Sequence, residues 1–223
     1  MKISEKMNNS FNILKNKYKV VFSNRQFVIS LVFAVILFFV GLFVNFYAAL
    51  YAMKSVGNSV EDIVLSNIPV FDVDFLVVYG PVFVWFFVLF LCLAEPKKIP
   101  LTLKSIALFV LIRSVFITLT HIGPFPFHSQ IDYSLDIVKL FTTGGDLFFS
   151  AHTGLPFLMA LVFGKNNFNL RVIFTLTAMF FGVIVLLAHI HYSIDVLAAF
   201  FITYTIYILA EKLFKKDLEF FWK

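Results

Sequence analysis

Residues 27–53 read FVISLVFAVILFFVGLFVNFYAALYAM and contain no charged side chain. A helix needs about 20 apolar residues to cross the hydrocarbon core of a bilayer, so this run predicts a membrane span. Five further apolar stretches follow it, at 75–94, 101–121, 147–164, 171–190 and 192–211. The sequence therefore predicts an all-α integral membrane protein, a bundle of six transmembrane helices.

The composition of the whole chain agrees with this prediction. Of its 223 residues, 61% are hydrophobic and 14% are charged, whereas soluble domains have about 45–50% apolar and about 25% charged residues. Too little polar surface is available to cover a water-soluble globule, which excludes the soluble, fibrous and disordered classes. We expect a basic N-terminal segment at 1–26, one membrane domain at 27–211 and a basic tail at 212–223.

The distribution of basic residues predicts the orientation. Of the 18 lysine and arginine residues, 15 lie before the first span, at alternate connections or in the tail. The other three are Lys54 and Lys139, on the opposite side, and Arg113, within a span. The positive-inside rule then places both termini in the cytoplasm. The net charge of +5 is thereby explained by topology. No basic groove interleaved with aromatic residues is visible, so nucleic-acid binding is not expected.

All five histidines fall in the predicted outer half, and one of them lies close to a carboxylate. His191 and Asp195 are four residues apart at the entry to the last span, a spacing that puts both on one helix face. A carboxylate on one imidazole nitrogen fixes the tautomer and leaves the other nitrogen as a nucleophile or base. The alternative is a pair that only satisfies two polar groups at a helix end.

A second candidate feature is the segment 144–153, GGDLFFSAHT, which leads into the fourth span. Proline is best tolerated in the first turn of a helix, so Pro156 suggests that regular helix begins only around Thr153. The amides near Ser150–Thr153 would then form an anion site suited to phosphate. The alternative is a proline kink inside a longer helix.

Arg113 is the third candidate, because a guanidinium at membrane depth needs a polar cavity or an anionic partner. It could pair with Asp195 or Asp146, or bind a substrate phosphate, for which its planar fork is suited. No cysteine ligands and no acidic cluster indicate a dinuclear centre, so we expect chemistry without a metal or other cofactor.

These residues resemble motifs of the type 2 phosphatidate phosphatase superfamily of membrane lipid phosphatases, and most closely those of its sphingomyelin synthase branch. The resemblance covers roughly residues 65–205. Four blocks carry it: PVFD at 69–72; RSVFIT at 113–118 with PFP at 124–126; GDLFFSAHT at 145–153; and AHIHYSIDV at 188–196. The last two blocks are the specific ones.

The resemblance implies a role for each matching residue. His191 would attack the head-group phosphodiester and form a phosphohistidine, and Asp195 would orient it. His152 would protonate the leaving group and then act as base on the acceptor. Arg113 and the amides around Ser150, Ala151 and His152 would stabilise the phosphoryl oxygens. Asp146 and Tyr192 complete the set of candidate substrate contacts.

Two departures from the superfamily pattern affect the interpretation. The phosphatases usually carry a Lys-x6-Arg-Pro motif and a Ser-Arg pair ahead of the nucleophile, whereas here Ile184-Val185 is apolar, as in the synthase branch. Ala151 replaces the glycine of Ser-Gly-His, which would matter if a positive φ were needed there.

The leading hypothesis is therefore a head-group phosphotransferase at the outer leaflet, acting on a phospholipid donor and a lipid alcohol such as ceramide or diacylglycerol. The alternative is a lipid phosphatase that uses the same triad with water as acceptor. A haem or metal protein using His152, His189 and His191, or a transporter, is less well supported. The short loops suggest a prokaryotic inner membrane.

Overall fold

The computed structural model describes residues 2–127 and 147–222, in which every regular element is helical. The α-helices are α1 (Lys2–Phe22), α2 (Arg25–Lys54), α3 (Asp74–Ala94), α4 (Ile99–Leu119), α5 (Ala151–Gly164), α6 (Phe168–Leu187), α7 (Ser193–Leu213) and α8 (Lys215–Trp222). Two single 3-10 turns, Leu65–Asn67 and Pro96–Lys98, precede α3 and α4. The all-α prediction is confirmed for this part of the chain.

Five helices are long and apolar enough to cross a membrane: α2, α3, α4 with its preceding turn, α6 and α7. The predicted fourth span was placed too early, because helix α5 starts at Ala151 rather than at residue 147 and has only 14 residues. At 1.5 Å per residue it is about 21 Å long, shorter than the hydrocarbon core. The helix starts late because Phe148 and Phe149 have φ of 90° and 40°, outside the helical region.

Backbone contacts join the connections at one end of the bundle. The amide of Gly57 donates to the carbonyl of His121 at 2.8 Å, and that of Phe71 donates to the carbonyl of Leu187 at 2.9 Å. We call this end, formed by residues 55–73, 120–127 and 188–192, the histidine end. The opposite end contains α1, the turn before α4, and α8.

Helix α4 lies at the centre of the bundle, between α2, α5 and α7. Phe109 and Ile117 of α4 are fully buried, as is Leu158 of α5. Gly154 allows α5 to come this close, since a Cβ there would lie 2.7 Å from the Phe109 ring and 2.9 Å from Thr203 Oγ1 of α7. The most buried helices are therefore the ones that carry or adjoin the candidate site.

The outward faces of the helices are strongly apolar. Phe43 of α2, Phe83 and Phe86 of α3 and Phe201 of α7 are 64%, 67%, 66% and 76% exposed. Such a continuous apolar exterior would be unfavourable in water, whereas lipid solvates it without cost. The protein is a multi-pass membrane protein.

A buried ionic cluster attaches the last helix at the opposite end. Lys104 of α4 is 5% exposed, and its Nζ lies 2.6 Å from Asp217 Oδ2 of α8 and 2.7 Å from Ser30 Oγ of α2. Ser30 also donates to Asp217. The segment expected as a basic tail thus contains a helix that packs against the bundle through its one buried carboxylate.

Candidate active site

His191 and Asp195 make the contact that their spacing suggested, but not on one helix face. His191 lies in a bend before α7, Tyr192 is the N-cap, and Asp195 is the third residue of the helix. His191 Nδ1 is 3.0 Å from Asp195 Oδ2, which also accepts the amide hydrogen of Tyr192 at 3.0 Å. Both side chains are buried, Asp195 completely. The capping geometry therefore orients the carboxylate that holds the imidazole.

His189 lies two residues after the end of α6 and sets the direction of the chain towards His191. Its φ of 55° is left-handed, its amide donates to the carbonyl of Leu186, and the amide of Ile190 donates to that of Val185. These two bonds define a Schellman motif, in which glycine usually occupies the left-handed position. Here the cost of a non-glycine residue is offset in part by the side chain, whose Nδ1 lies 2.8 Å from the carbonyl oxygen of Phe127.

Asp62 clamps the start of α7 from the first connection at the histidine end. One carboxylate oxygen accepts from the amides of Val64 and Leu65 at 2.8 and 3.1 Å, and the other from the amide and hydroxyl of Ser193 at 2.7 and 2.8 Å. Burial raises the pKa of this carboxyl, but the bonds from Ser193 and the two amides outweigh it and hold the pKa below its ordinary value. The sequence alone gives no sign of this contact, since Ser193 lies 131 residues further along the chain.

The amino end of α5 faces the site, as expected. Regular helix begins after the predicted start of the span at residue 147 but before Thr153, the start that Pro156 suggested. Ser150 is the N-cap, regular helix begins at Ala151 rather than around Thr153, and Pro156 lies inside the helix. Proline at the sixth helical position removes only the hydrogen bond to the His152 carbonyl, so the preceding turn persists. Ala151 is helical and has no positive φ. Alanine in place of glycine therefore causes no backbone strain there.

The backbone groups before α5 are held by α4 and α7. The Ser150 amide donates to the Asp195 carbonyl at 3.1 Å, and Arg113 Nε donates to the Phe149 carbonyl at 3.2 Å. Phe149 is fully buried, with its ring 5.1 Å from that of Phe109. These contacts stabilise a left-handed backbone that aromatic residues rarely adopt.

Arg113 is 5% exposed and thus lies within the bundle. Besides Phe149, its guanidinium contacts Asn45 of α2 through Nη1, at 3.4 Å from Oδ1. Of its two predicted carboxylate partners, Asp195 makes no ion pair with it among the described residues, and Asp146 lies outside them. Part of the Arg113 guanidinium therefore binds the backbone immediately before the amino end of α5.

His152, the second residue of α5, faces both His191 and an apolar cavity. The two imidazole rings are 6.3 Å apart, centroid to centroid. A cavity of about 100 Å³ lies beside His152 between α3, α5 and α6, lined mainly by apolar side chains that include Val84, Leu155 and Met159. The structure thus brings an imidazole pair next to a space suited to hydrocarbon.

The remaining candidates have structural contacts. The Tyr192 hydroxyl donates to the Gly123 carbonyl at 2.8 Å and accepts from the Val60 amide at 3.3 Å. Ser150 is fully buried. Roles for both in substrate binding stay predictions. In the described residues, His152, His189 and His191 do not form a three-ligand metal group. His128 lies outside the described residues.

Residues 143–212 match the family model described as PAP2 superfamily C-terminal. The match contains His152, His191 and Asp195, so this part of the chain is similar to the type 2 phosphatidate phosphatase superfamily, whose members carry out phosphatase and phosphotransferase reactions on lipid phosphates. No curated protein and no solved structure gives a significant match.

Proposed function

We propose that this protein is a sphingomyelin synthase-like phosphotransferase, which moves a phospholipid head group onto a lipid alcohol such as ceramide or diacylglycerol. The observation that carries the proposal is the buried His191–Asp195 pair, 3.0 Å apart, with the His152 ring 6.3 Å from the His191 ring. Asp195 holds Nδ1 of His191, so Nε2 is the nitrogen with an available lone pair.

The reaction proceeds in two displacements. Nε2 of His191 attacks the donor phosphorus, the bond from phosphorus to the lipid oxygen breaks, and protonated His152 gives its proton to that oxygen. His152 then takes the proton of the acceptor hydroxyl, whose oxygen attacks the phosphohistidine and releases His191. The two rings, 6.3 Å apart between centroids, are close enough to act on the same phosphoryl group.

The phosphoryl charge requires hydrogen-bond donors. The amides of Ala151, His152 and Thr153 lie in the first turn of α5, where no preceding turn accepts their hydrogens. The helix dipole adds positive potential at the same place. Arg113 contributes a further positive charge next to Phe149, one residue before the N-cap. These groups form the proposed oxyanion site.

Two features favour a lipid acceptor over water. Ile184 and Val185 are 5% and 0% exposed and occupy the stretch where the phosphatases carry a Ser-Arg pair. The cavity next to His152 is lined mainly by apolar residues, so an acyl chain fits it better than water does. The proposal places this site at the extracytoplasmic face, with both termini cytoplasmic and six spans, in a prokaryotic inner membrane. No metal or cofactor is required by this mechanism.

The test is lipid turnover by the purified protein in liposomes. Fluorescent ceramide or diacylglycerol is supplied as acceptor, with labelled phosphatidylcholine or phosphatidylethanolamine as donor. The wild type is compared with His191→Ala and with His121→Ala, a control at the same end whose exposed ring packs against Tyr51. We expect a new head-grouped lipid in the wild type and in the control, and none in His191→Ala.

Other outcomes decide against the transferase. Release of phosphate or a phosphorylated head group that depends on His191 would establish a hydrolase, in which water replaces the lipid hydroxyl at the same triad. Product formation that persists in His191→Ala would remove His191 from the mechanism. Absence of both products with every donor would contradict the proposed chemistry.

A further inference from the structure

A proline inside α3 lies next to the candidate site without a role in the mechanism above. Pro81 is the eighth residue of the helix. Proline has no amide hydrogen, so the carbonyl four residues earlier lacks its usual helical donor. In α3 that carbonyl belongs to Val77.

The Val77 carbonyl faces the side chain of His152. Nε2 of His152 lies 3.3 Å from the Val77 oxygen. A carbonyl oxygen only accepts, so this contact is a hydrogen bond when Nε2 carries a proton. Val77 is 2% exposed, which limits competition from water.

Close packing holds this turn of α3 in place. A Cβ on Gly80 would lie 2.5 Å from the ring of Phe181 in α6, so any larger residue there would require α3 or this ring to shift. The Phe181 ring is in turn 6.4 Å from the His152 ring. The position of the Val77 carbonyl relative to His152 is therefore set by packing between helices.

We propose that Pro81 is a positioning residue for His152. By supplying no amide hydrogen, it leaves the Val77 carbonyl to accept from Nε2 of His152. A neutral imidazole carries one proton, so this bond places the proton on Nε2 and the lone pair on Nδ1. The inference deepens the proposed function and rests on it for its catalytic meaning: Nδ1 gives its proton to the leaving lipid oxygen, and the acceptor hydroxyl then returns one to Nδ1.

The tautomer of His152 can be measured without any substrate. The full-length protein, labelled with ¹³C and ¹⁵N at histidine, is studied by NMR in detergent micelles, and His152→Gln identifies the His152 signals. In the wild type we expect neutral His152 to carry its proton on Nε2. Pro81→Ala restores an amide that competes for the Val77 oxygen. It should raise the proportion of the Nδ1-protonated form roughly threefold to tenfold, the equilibrium effect of one ordinary hydrogen bond.

Two further variants test this explanation. Pro100→Ala is the control for loss of a proline, and Gly80→Ala tests the packing of α3 near His152. Pro100→Ala removes a buried proline from the first turn of α4, where an amide has no helical partner in any case. We expect no change in the His152 tautomer. Gly80→Ala requires α3 or the Phe181 ring to shift and should move the tautomer in the same direction as Pro81→Ala.

Turnover supplies a second measurement. Pro81→Ala should lower kcat roughly threefold to tenfold, because the proton donor is misoriented; since Pro81 also lines the cavity beside His152, kcat rather than KM is the quantity compared. Neutral wild-type His152 protonated on Nδ1 would overturn the proposal, as would an unchanged tautomer in Pro81→Ala. Absence of lipid turnover in the wild type would contradict the proposed function. The tautomer measurement needs no substrate, so it would still decide whether Pro81 positions His152.

Discussion

At the scale of single residues, the site depends on how two histidines are held. His191 is fixed by Asp195 through Nδ1, and His152 contacts the Val77 carbonyl through Nε2. Each contact engages one ring nitrogen with a protein acceptor, and the proposed mechanism uses the other nitrogen of each ring. The two imidazoles are thus set up for different roles by different acceptors, one a carboxylate and the other a carbonyl.

Asp195→Asn tests the role of the carboxylate. The amide can retain the shape of the side chain and the bond from the Tyr192 amide, but it has no charge to stabilise a developing imidazolium or phosphohistidine. We expect kcat for lipid turnover to fall roughly 10²- to 10⁴-fold. Thermal unfolding of the same variant in micelles serves as the control for folding. A kcat within twofold of wild type in a folded variant would show that the pair is only structural.

At the scale of elements, the start of α7 is held from the first connection at the histidine end. Asp62 joins the turn at Val64 and Leu65 to Ser193, the first residue of α7. This bridge connects two segments that are far apart in sequence, and it lies two residues from Asp195. The helix that carries Asp195 is therefore stabilised by a loop that contributes no side chain to the proposed chemistry.

Asp62→Asn should destabilise the protein. An amide has one accepting oxygen, so it cannot receive both the pair of bonds from the turn and the pair from Ser193. We expect a loss of about 1–3 kcal/mol in the free energy of unfolding, measured by thermal or chemical unfolding in micelles. The adjacent Glu61→Gln is the matched control, since Glu61 is exposed, and it should change stability by less than about 0.5 kcal/mol.

The same contact predicts a dependence on pH. The pKa of Asp62 is lowered in the folded protein relative to its ordinary value of 3.8. A lowered carboxyl pKa contributes stability that is present above the unfolded value and is lost as the pH falls through the folded value. The stability difference between wild type and Asp62→Asn should therefore be constant between about pH 7 and 5 and shrink below about pH 4. A difference that grows on acidification would contradict this account.

At the scale of the whole molecule, α8 is attached to the bundle by a buried charge pair. Lys104 and Asp217 each have about 6% of the side chain exposed, and Ser30 contacts both. Removing one member of such a pair leaves the other charge buried and unpaired, which costs more than removing both.

Lys104→Met should thus lower the free energy of unfolding by about 3–5 kcal/mol, and the double variant Lys104→Met/Asp217→Leu should recover most of that loss. Lys165→Met is the control, because the Lys165–Glu211 pair has side chains 36% and 21% exposed and should contribute at most about 1 kcal/mol. Unfolding in micelles measures all three. Equal losses in the single and double variants would contradict the charge-pair explanation.

Orientation in the membrane is also a property of the whole molecule. Asn58 at the histidine end and Asn166 at the opposite end are both exposed. In a Cys92→Ala background, Asn58→Cys should react with a membrane-impermeant maleimide on intact cells, and Asn166→Cys only after lysis. This result follows from the positive-inside prediction. The reverse labelling pattern would place the histidine end in the cytoplasm.

The sequence determined the membrane class, most helix positions and the identity of the His–Asp pair. Hydropathy and helical period are local signals, so α2, α3, α4, α6 and α7 were predicted to within three residues at each end. The start of α5 was missed because a left-handed backbone at Phe148 and Phe149 depends on burial of Phe149 and on Arg113, not on local propensity. No glycine marks that bend.

Only the tertiary structure decided which polar groups support the site and which can react. Asp62, the Val77 carbonyl and the left-handed His189 have ordinary sequence contexts, and their partners are distant in the chain: Ser193, the His152 side chain and the Phe127 carbonyl. Buried polar groups must be satisfied wherever the packed helices place a donor or acceptor. That requirement acts between elements, and it decides which ring nitrogen of His152 and of His191 contacts the protein in the way the proposed mechanism uses.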